Sequence, residues 1–189
     1  MKHKISDLTT VNNSDVRLTP DWILDEIVYP TLGAVDVDPT AESQINPNVK
    51  ATHHFTIDNP ATDEDLVGTV FMNPPFSGSK GFLAMVNRAI DKGTLSQAVV
   101  LIKFDARTNW MQKYVWDSQY VDWIYFTRYV KFKTIENGEM SPAPFSVCLV
   151  NFNHSTCDNW SRFYDVTNER FEGKVIPMSK RACKFILGN

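Results

Sequence analysis

The sequence is poor in cysteine and glycine and has no long hydrophobic run. Its three cysteines, Cys148, Cys157 and Cys183, are odd in number and lack the spacing of metal ligands, which argues against a disulfide framework and against a zinc-dependent deaminase. No GxxxxGK(S/T) segment occurs, which argues against a P-loop nucleotidase. No apolar run approaches the roughly 20 residues of a membrane span, and the N-terminal MKHKISDLTT lacks the apolar stretch of a signal peptide. We therefore expect a cytoplasmic protein that has reduced thiols and no membrane partner.

The chain does contain enough apolar material for a folded domain. Of its 189 residues, 43% are hydrophobic and 12% are aromatic. A chain of this length buries roughly 70% of the surface that its unfolded form exposes, so it needs no disulfide or metal to be stable. The composition excludes a disordered chain and predicts a single domain over residues 1–189.

The net charge of −3 conceals an uneven distribution. Residues 1–70 carry 4 basic and 12 acidic side chains, whereas residues 71–134 carry 9 basic and 4 acidic ones. The middle of the chain could therefore face the phosphates of a polyanion, although the protein as a whole is acidic. Ordinary scatter of charged residues explains the same numbers, so charge alone leaves the partner open.

Hydrophobic periodicity predicts an α/β protein with a mostly parallel central sheet flanked by helices. Strands are predicted at 34–38, 51–56, 67–72, 97–104, 121–126 and 146–152, with a short one at 162–166. Helices are predicted at 20–29, 80–92, 108–117 and 178–187. Thr19 is the expected N-cap of the first helix, and Pro30 with Gly33 is expected to end it. In such sheets ligands bind at the carboxyl ends of the strands, so the segments that follow the strands matter most.

The tetrapeptide Asn73-Pro74-Pro75-Phe76 follows directly after the predicted strand 67–72. Neither proline has an N–H, and the residue before each proline is pushed into an extended conformation, so a rigid turn rich in carbonyl acceptors is expected. The Asn73 side-chain oxygen and the Pro74 carbonyl can accept the two hydrogens of an exocyclic amine, which favours a more tetrahedral and reactive nitrogen. Phe76 can stack on the ring that carries the amine, and a base in a duplex must first be flipped out to reach it. The alternative is a rigid turn that only connects a strand to a helix.

Four features of the sequence, in order along the chain, resemble those of a known enzyme family. They are LTPDWI at 18–23, VDVDPTA at 35–41, VFMNPPF at 70–76, and AVVLIKFDARTNW at 98–110, the last followed by RYVKF at 128–132 and SPAPFSVCLVNF at 141–152. These segments resemble the amino-methyltransferases that use S-adenosylmethionine and carry a (D/N/S)PP(Y/W/F) motif. More closely, they resemble the phage-type DNA N6-adenine methyltransferases, the phage Dam family. The resemblance covers residues 17–152 and leaves 153–189 as a C-terminal extension.

The resemblance implies a Rossmann-like methyltransferase fold and transfer of a methyl group from the cofactor S-adenosylmethionine to N6 of adenine in DNA. The catalytic residues that it implies are Asn73, Pro74, Pro75 and Phe76. The residues that it places at the cofactor are Thr19, Pro20, Trp22, Asp36, Asp38 and Pro39. No metal site is expected, because the cysteines and histidines lack the spacing of metal ligands. It also implies a cytoplasmic enzyme of a bacterial host or a phage-infected cell, with restriction-modification as the expected context.

Basic residues near the same strand ends are candidates for nucleic-acid binding. Arg107, Arg128 and Lys131 fall within the family-like segments and are expected to meet DNA phosphates. An ordinary solvated surface is the alternative for each of them. Neither their charge nor their position identifies any of them as a reader of bases.

Two further alternatives stay open at this point. The acceptor could be another planar amine, such as cytosine N4 or an RNA adenine, because NPPF suits any of them. The protein could instead be a non-catalytic nucleic-acid-binding member of the same fold. The second alternative arises because DVDPTAES stands where many methyltransferases have a glycine-rich loop of the type DxFxGxG after the first strand.

Overall fold

Strands and helices alternate along much of the chain, as the hydrophobic pattern predicts. The computed structural model describes residues 17–127, 129–134, 138–170 and 173–188. Its strands are β1 (Val35–Asp38), β2 (Ala51–His54), β3 (Gly68–Met72), β4 (Leu95–Lys103), β5 (Val121–Phe126), β6 (Lys131–Lys133), β7 (Met140–Pro142), β8 (Val147–Asn153) and β9 (Lys174–Pro177). The strands predicted at 34–38, 51–56, 67–72, 97–104, 121–126 and 146–152 are confirmed, with small differences at their ends.

Helices connect many of the strands. Helix α1 consists of Asp21–Ile23, the π-helical turn Leu24–Val28 and Tyr29–Leu32. Helix α2 (Ser79–Asp91) follows a 3₁₀ turn at Phe76–Gly78, and α3 consists of Asn109–Met111 and the π-helical turn Gln112–Trp116. The last two are α4 (Arg162–Arg170) and α5 (Lys180–Leu187). Among the described residues, no helix has both the length and the apolar character needed to cross a membrane.

Seven of the strands form one mixed sheet, in the order β2-β1-β3-β4-β8-β5-β9. Strands β2, β1, β3 and β4 pair in parallel, whereas β8 is antiparallel to both β4 and β5, and β9 is antiparallel to β5. Five strands therefore run in one direction, which confirms the predicted α/β class with a mostly parallel sheet. The chain leaves β1 for β2 on one side and returns to β3 on the other, so the strand order reverses between β1 and β3.

The central strands are apolar on both faces because helices cover both. Along β4, Ala98, Val100 and Ile102 belong to the core that contains α2 and α3. Val99 and Leu101 belong to the core that contains α1 and α4. Successive side chains of a strand point to opposite faces, so each face has its own hydrophobic core. This two-sided burial explains why QAVVLIKF reads as an uninterrupted apolar run in the sequence.

The prediction that Thr19 caps the first helix is wrong. Pro20 holds the N-cap position, and its carbonyl accepts the N–H groups of Ile23 and Leu24. No side chain caps this helix. The Thr19 hydroxyl is instead bonded to another part of the chain, which matters for the candidate site.

The prediction that Pro30 ends the first helix is also wrong. The helix continues through Pro30 to Leu32 and closes at Gly33, which has a positive φ of 75°. A proline inside an α-helix clashes with the carbonyl four residues earlier. The turn before Pro30 is π-helical, with the Tyr29 N–H bonded to the Leu24 carbonyl, and this wider turn accommodates the proline.

The end of the chain follows the prediction only in part. The strand predicted at 162–166 is wrong, because these residues begin α4. Phe163, Val166 and Thr167 are buried at three- and four-residue spacing, which is helical, but a window of five residues is too short to distinguish this from strand alternation. The helix predicted at 178–187 is confirmed as α5. The edge strand β9, which ends in a proline, was not predicted.

Candidate active site

Three neighbouring parallel strands end at the same edge of the sheet, and the residues after them form the candidate site. Pro39 and Thr40 follow β1, the NPPF segment at 73–76 follows β3, and residues 104–107 follow β4. In parallel sheets, ligands bind where the strand order reverses, outside the carboxyl ends of the strands. That position lies between β1 and β3, so NPPF and the acidic end of β1 flank it.

The Asn73 amide is held in one orientation by residues that precede α1. Its Nδ2 donates to the Arg17 carbonyl at 2.7 Å and to Thr19 Oγ1 at 3.1 Å. Because a carbonyl can only accept, the nitrogen end of the amide must face Arg17. Both amide hydrogens are thus used, while Asn73 Oδ1 accepts no hydrogen bond from the described residues. A half-buried acceptor is left at the end of β3.

Asp38 is the buried carboxyl at the end of β1, with an exposed fraction of 1%. Its Oδ1 accepts the Thr40 N–H at 2.9 Å and the Thr40 hydroxyl at 2.8 Å. The same hydroxyl accepts the backbone N–H of Asn73 at 3.0 Å, so Thr40 connects the two predicted site residues. Burial raises the pKa of Asp38 to about 6, although the bonds from Thr40 lower it, and the charge of Glu42 raises it further. Thr40 was not singled out from the sequence.

The two prolines shape the backbone between Asn73 and α2. Pro74 is buried and Pro75 is half-buried. The Pro75 carbonyl accepts the Gly78 N–H at 2.7 Å and so closes the 3₁₀ turn. The Pro74 carbonyl has no hydrogen-bond donor among the described residues, which makes it a second acceptor beside Asn73.

Phe76 belongs to an aromatic cluster whose other members sequence reasoning missed. Its ring centroid lies 4.4 Å from that of Phe145 and 5.9 Å from that of Phe132, with interplanar angles of 81° and 74°. Both are edge-to-face arrangements, which aromatic pairs favour. Phe132 and Phe145 lie in the family-like segments RYVKF and SPAPFSVCLVNF, which were the only available signal for them. The cluster supports Phe76 and leaves it half-buried.

Strands β6 and β7 form a hairpin beside this cluster. Phe132 is buried on β6, whereas Lys131 and Lys133 on either side of it are exposed, as strand alternation requires. The Leu18 N–H donates to the Lys133 carbonyl at 3.1 Å. Residues 17–19, which hold the Asn73 amide, are therefore attached to the same hairpin that supports Phe76.

Asp36 does not join the other predicted cofactor residues. Its Oδ2 accepts the Thr69 N–H at 2.8 Å and the Thr69 hydroxyl at 2.9 Å. Gly68 makes room for this contact, because a Cβ there would lie 2.2 Å from Asp36 Oδ2, and its φ of +64° also favours glycine. These bonds connect β1 to the start of β3, away from the carboxyl ends of the strands where Asn73 and Asp38 lie.

The remaining residues predicted at the cofactor lie at the start of α1 and the end of β1. Thr19 and Pro20 are buried directly before α1, and Trp22 is half-buried in its first turn. Pro39 is buried next to Asp38. Of these residues, Thr19 is the one bonded to Asn73.

Two of the three predicted nucleic-acid-binding residues, Arg107 and Lys131, lie within the described residues, and both are exposed. The Arg107 side chain is 95% exposed after β4, with its Nε 3.8 Å from Asp105 Oδ1. Lys131 is exposed on the β6–β7 hairpin. Arg128 lies outside the described residues. Lys103 at the end of β4 is a further cation here, and its Nζ lies 5.3 Å from the centre of the Phe145 ring.

No group of three or more histidine, cysteine or carboxylate side chains in the described part of the chain could hold a metal ion. Comparison with known families gives a clear match: the model of the DNA N-6-adenine-methyltransferase (Dam) family matches residues 6–162, more than four-fifths of the chain. No curated protein matches the sequence. The family match confirms the resemblance carried by the four sequence segments. The matched region contains NPPF, Asp38, the β6–β7 hairpin and the strands that position them, and the chain belongs to the DNA N-6-adenine-methyltransferase (Dam) family, whose reaction is N6 methylation of adenine in DNA.

Proposed function

We propose that this chain transfers a methyl group from S-adenosylmethionine to N6 of adenine in DNA, and that NPPF binds the target amine. The Asn73 amide is the observation that carries the proposal. Both of its hydrogens are donated to Arg17 and Thr19, so its oxygen and the Pro74 carbonyl remain as acceptors. A pair of acceptors without a free donor selects a ligand group that has two hydrogens to donate, such as an exocyclic amine.

Accepting both hydrogens activates the amine. In a free base, the lone pair of this nitrogen is delocalised into the ring, so the nitrogen is planar and a poor nucleophile. Hydrogen bonds to Asn73 Oδ1 and to the Pro74 carbonyl in a bent arrangement favour a tetrahedral nitrogen, whose lone pair is free to attack. The nitrogen would become positive as its bond to the methyl group forms and the methyl–sulfur bond breaks, with that electron pair going to sulfur. The same two acceptors would stabilise this charge until one hydrogen leaves as a proton to water.

Phe76 provides the apolar surface for the adenine ring. Stacking on an aromatic side chain is worth roughly 1–3 kcal/mol per base. This stabilisation offsets part of the cost of flipping the base out of the duplex, which is a few kcal/mol. The contacts with Phe132 and Phe145 restrict the Phe76 ring before the base arrives, so little side-chain freedom is lost on binding.

The end of β1 fits the hydroxyl or ammonium donors of the cofactor. All hydrogen bonds to the Asp38 side chain within the described residues go to Oδ1, which leaves Oδ2 for a ligand. Donors at Oδ2 would favour the carboxylate and offset the burial that raises the pKa of Asp38. When bound here, S-adenosylmethionine supplies a methyl group activated by its sulfonium charge. Asp36, whose carboxylate is bonded to Thr69, has a structural role in this proposal.

A Rossmann-like scaffold is part of the proposal. Four parallel strands, helices on both faces and a reversal of strand order beside the site support it. Pro39 follows Asp38 where many methyltransferases have a glycine-rich loop. Because a proline has no N–H to offer, we infer that side chains such as Asp38 and Trp22 supply more of the cofactor contacts than the backbone does.

Exposed cations around the site support DNA as the partner. Lys131 on the hairpin and Arg107 after β4 are placed at the edge that carries NPPF, where they would neutralise phosphates on either side of the flipped base. Arg128 stays a prediction from the sequence. We also propose that the enzyme acts on DNA in the cytoplasm. The three cysteines are free thiols, which is consistent with a reducing compartment.

Methyl transfer to DNA by matched asparagine variants tests the proposal. Asn73→Ala removes the acceptor, and we expect the transfer rate to fall by about 100-fold or more, while the circular dichroism spectrum stays that of the wild type. Asn87→Ala is the control, because Asn87 is also half-buried and its Nδ2 also donates two hydrogen bonds, in this case to the backbone carbonyls of Leu83 and Tyr114. Equal rates for Asn73→Ala and the wild type would contradict the proposed role of NPPF.

Two measurements distinguish the proposed function from its alternatives: the position of the transferred methyl group and the binding of the cofactor. If the transferred methyl group is found on cytosine N4 or in RNA, the acceptor is a different planar amine. DNA binding without cofactor binding, measured by calorimetric titration with S-adenosylmethionine and its demethylated product, would identify a non-catalytic protein.

A further inference from the structure

The Thr19 hydroxyl is bonded to a site residue and not to the helix that it precedes. A threonine at the start of a helix commonly accepts an N–H of the first turn. Here Pro20 occupies the N-cap position and α1 begins without a side-chain cap. Thr19 Oγ1 instead accepts from Asn73 Nδ2 at 3.1 Å, across 54 residues of sequence.

Thr19 is held in place from several directions. Pro20 restricts it to an extended conformation. The Asn48 side chain donates to the Thr19 carbonyl at 2.9 Å, and the preceding Leu18 N–H is bonded to the Lys133 carbonyl. Thr19 is only 3% exposed, and its branched side chain has few rotamers to choose from. Its hydroxyl is therefore a fixed acceptor for Asn73.

The orientation of the Asn73 amide decides whether it can bind an amine. An asparagine presents either an oxygen or a nitrogen to a ligand, and only the oxygen accepts. The Arg17 carbonyl binds one amide hydrogen and the Thr19 hydroxyl binds the other. Without that hydroxyl, one buried N–H would face an apolar group, which is unfavourable, and the amide would turn to find another partner. Any such rotation moves Oδ1 away from the amine.

We propose that Thr19 is a positioning residue whose hydroxyl keeps the Asn73 amide oriented to accept the target amine. The inference rests on the proposed function, because it assigns a role within the same site. In this role the Thr19 hydroxyl affects the rate of methyl transfer, through Asn73, and does not affect the affinity for S-adenosylmethionine.

Two substitutions at Thr19 and one matched control test the proposal. Thr19→Val keeps the shape of the side chain and removes the acceptor, whereas Thr19→Ser keeps the acceptor. The control is Thr31→Val in α1, because Thr31 is 2% exposed and its hydroxyl has no hydrogen-bond partner among the described residues. Any effect of replacing a buried threonine by valine in general appears in this control as well.

The kinetic measurement is the single-turnover rate of methyl transfer at saturating DNA and cofactor. We expect Thr19→Val to transfer about tenfold more slowly than the wild type, which corresponds to the loss of one hydrogen bond. Thr19→Ser and Thr31→Val should stay near the wild-type rate, and cofactor affinity should be unchanged in all three. A wild-type rate for Thr19→Val, or no rescue by Thr19→Ser, overturns the proposal.

A second measurement does not depend on activity. In a nitrogen-15 spectrum of asparagine side chains, the Asn73 pair is identified by its absence in Asn73→Ala. Thr19→Val should shift one of the two amide hydrogens and speed its exchange with water, whereas Thr31→Val should not. An unchanged pair in Thr19→Val overturns the positioning role even if the wild type methylates DNA. A wild type that methylates nothing overturns the proposed function, while this spectrum still decides whether the hydroxyl holds the amide.

Discussion

Two buried aspartates show how differently the two edges of the sheet are built. Asp38 at the carboxyl end of β1 is 1% exposed, and Asp122 at the amino end of β5 is 2% exposed. Both oxygens of Asp122 are bound, by the guanidinium of Arg181, the hydroxyl of Ser179 and the amide of Asn153. The hydrogen bonds of Asp38 within the described residues come from Thr40 alone and reach only one oxygen.

The two carboxyl groups differ in how fully their oxygens are hydrogen-bonded by the described residues. Arg181 pairs with Asp122 and also stacks on the Trp160 ring, 4.8 Å from its centroid, so it ties α5 to the sheet. No lysine or arginine in the described part of the chain lies within ion-pair distance of Asp38, and burial raises its pKa to about 6. A carboxyl group that is buried but incompletely paired is common at functional sites. Both carboxylate oxygens of Asp122 accept hydrogen bonds, whereas Asp38 Oδ2 accepts none from the described residues.

Removing the fully hydrogen-bonded carboxylate of Asp122 should have the largest effect on stability. Asp122→Ala leaves the Arg181 guanidinium without its carboxylate and removes one of the two acceptors of the Asn153 amide. We expect the free energy of unfolding, measured by urea titration, to fall by about 3–5 kcal/mol, as for other buried pairs that lose one partner. Methyl transfer per folded molecule should be unchanged below the unfolding temperature. A variant that is as stable as the wild type would show that this network has no structural role.

Replacing the Asp38 carboxyl group by a neutral amide of the same shape should raise the free energy of unfolding instead of lowering it. The pKa of Asp38 is raised from 3.8 to about 6 by burial, so the folded protein binds this proton more tightly than the unfolded chain does. The resulting stabilisation is complete below about pH 4 and is lost as the pH rises through about 6. Asn at this position stays neutral and can still accept from Thr40, so we expect Asp38→Asn to be about 1–3 kcal/mol more stable at pH 7 and unchanged near pH 4.

Cofactor affinity provides the control for that variant. Because the Asp38 carboxylate is the proposed acceptor of cofactor donors, Asp38→Asn should weaken S-adenosylmethionine binding by about tenfold or more. The wild-type affinity should fall as the pH drops through about 6, whereas that of Asp38→Asn should not depend on pH in this range. If Asp38→Asn gains no stability at pH 7 and binds S-adenosylmethionine as tightly as the wild type, Asp38 has no special role at the carboxyl ends of the strands and does not differ from Asp122 in the way proposed.

The smallest expected effect concerns surface charge at the two edges. Lys131→Ala on the hairpin should reduce the slope of log affinity for DNA against log salt concentration by about 0.9, which is the loss of one phosphate contact. The control is Lys184→Ala on α5, an exposed lysine of the helix that Arg181 joins to Asp122. Fluorescence anisotropy with a labelled duplex measures both slopes. Equal changes in the two variants would mean that DNA does not prefer the edge that carries NPPF.

Much of the sheet and the position of NPPF could be predicted because their signals are local. A continuous apolar run such as QAVVLIKF identifies a strand buried on both faces, and the rule for parallel sheets then places NPPF at its carboxyl edge. The elements that escaped prediction have weak or mixed local patterns. Strands β6, β7 and β9 have three or four residues each, and in α4 too few buried positions fall within the five-residue window for helical spacing to show.

The missing parts of the candidate site depend on contacts between distant segments. Asn73 meets Arg17 and Thr19 across more than 50 residues, and Phe76 meets Phe132 and Phe145 across a similar range. Nothing in the local sequence distinguishes the carboxyl group of Asp36, which is bonded to Thr69, from that of Asp38 two residues later. Their different hydrogen-bond partners follow from the register of β1 against its neighbours, which the sequence pattern does not specify.

Identification of the methylated base is the measurement that decides between the proposed reaction and its alternatives. DNA is incubated with the protein and S-adenosylmethionine whose methyl group carries deuterium, and the digested nucleosides are analysed by mass spectrometry. We expect labelled N6-methyladenine from the wild type and none from Asn73→Ala, because the proposed mechanism requires the Asn73 acceptor. Label on cytosine alone, or equal label on adenine from both proteins, would contradict it.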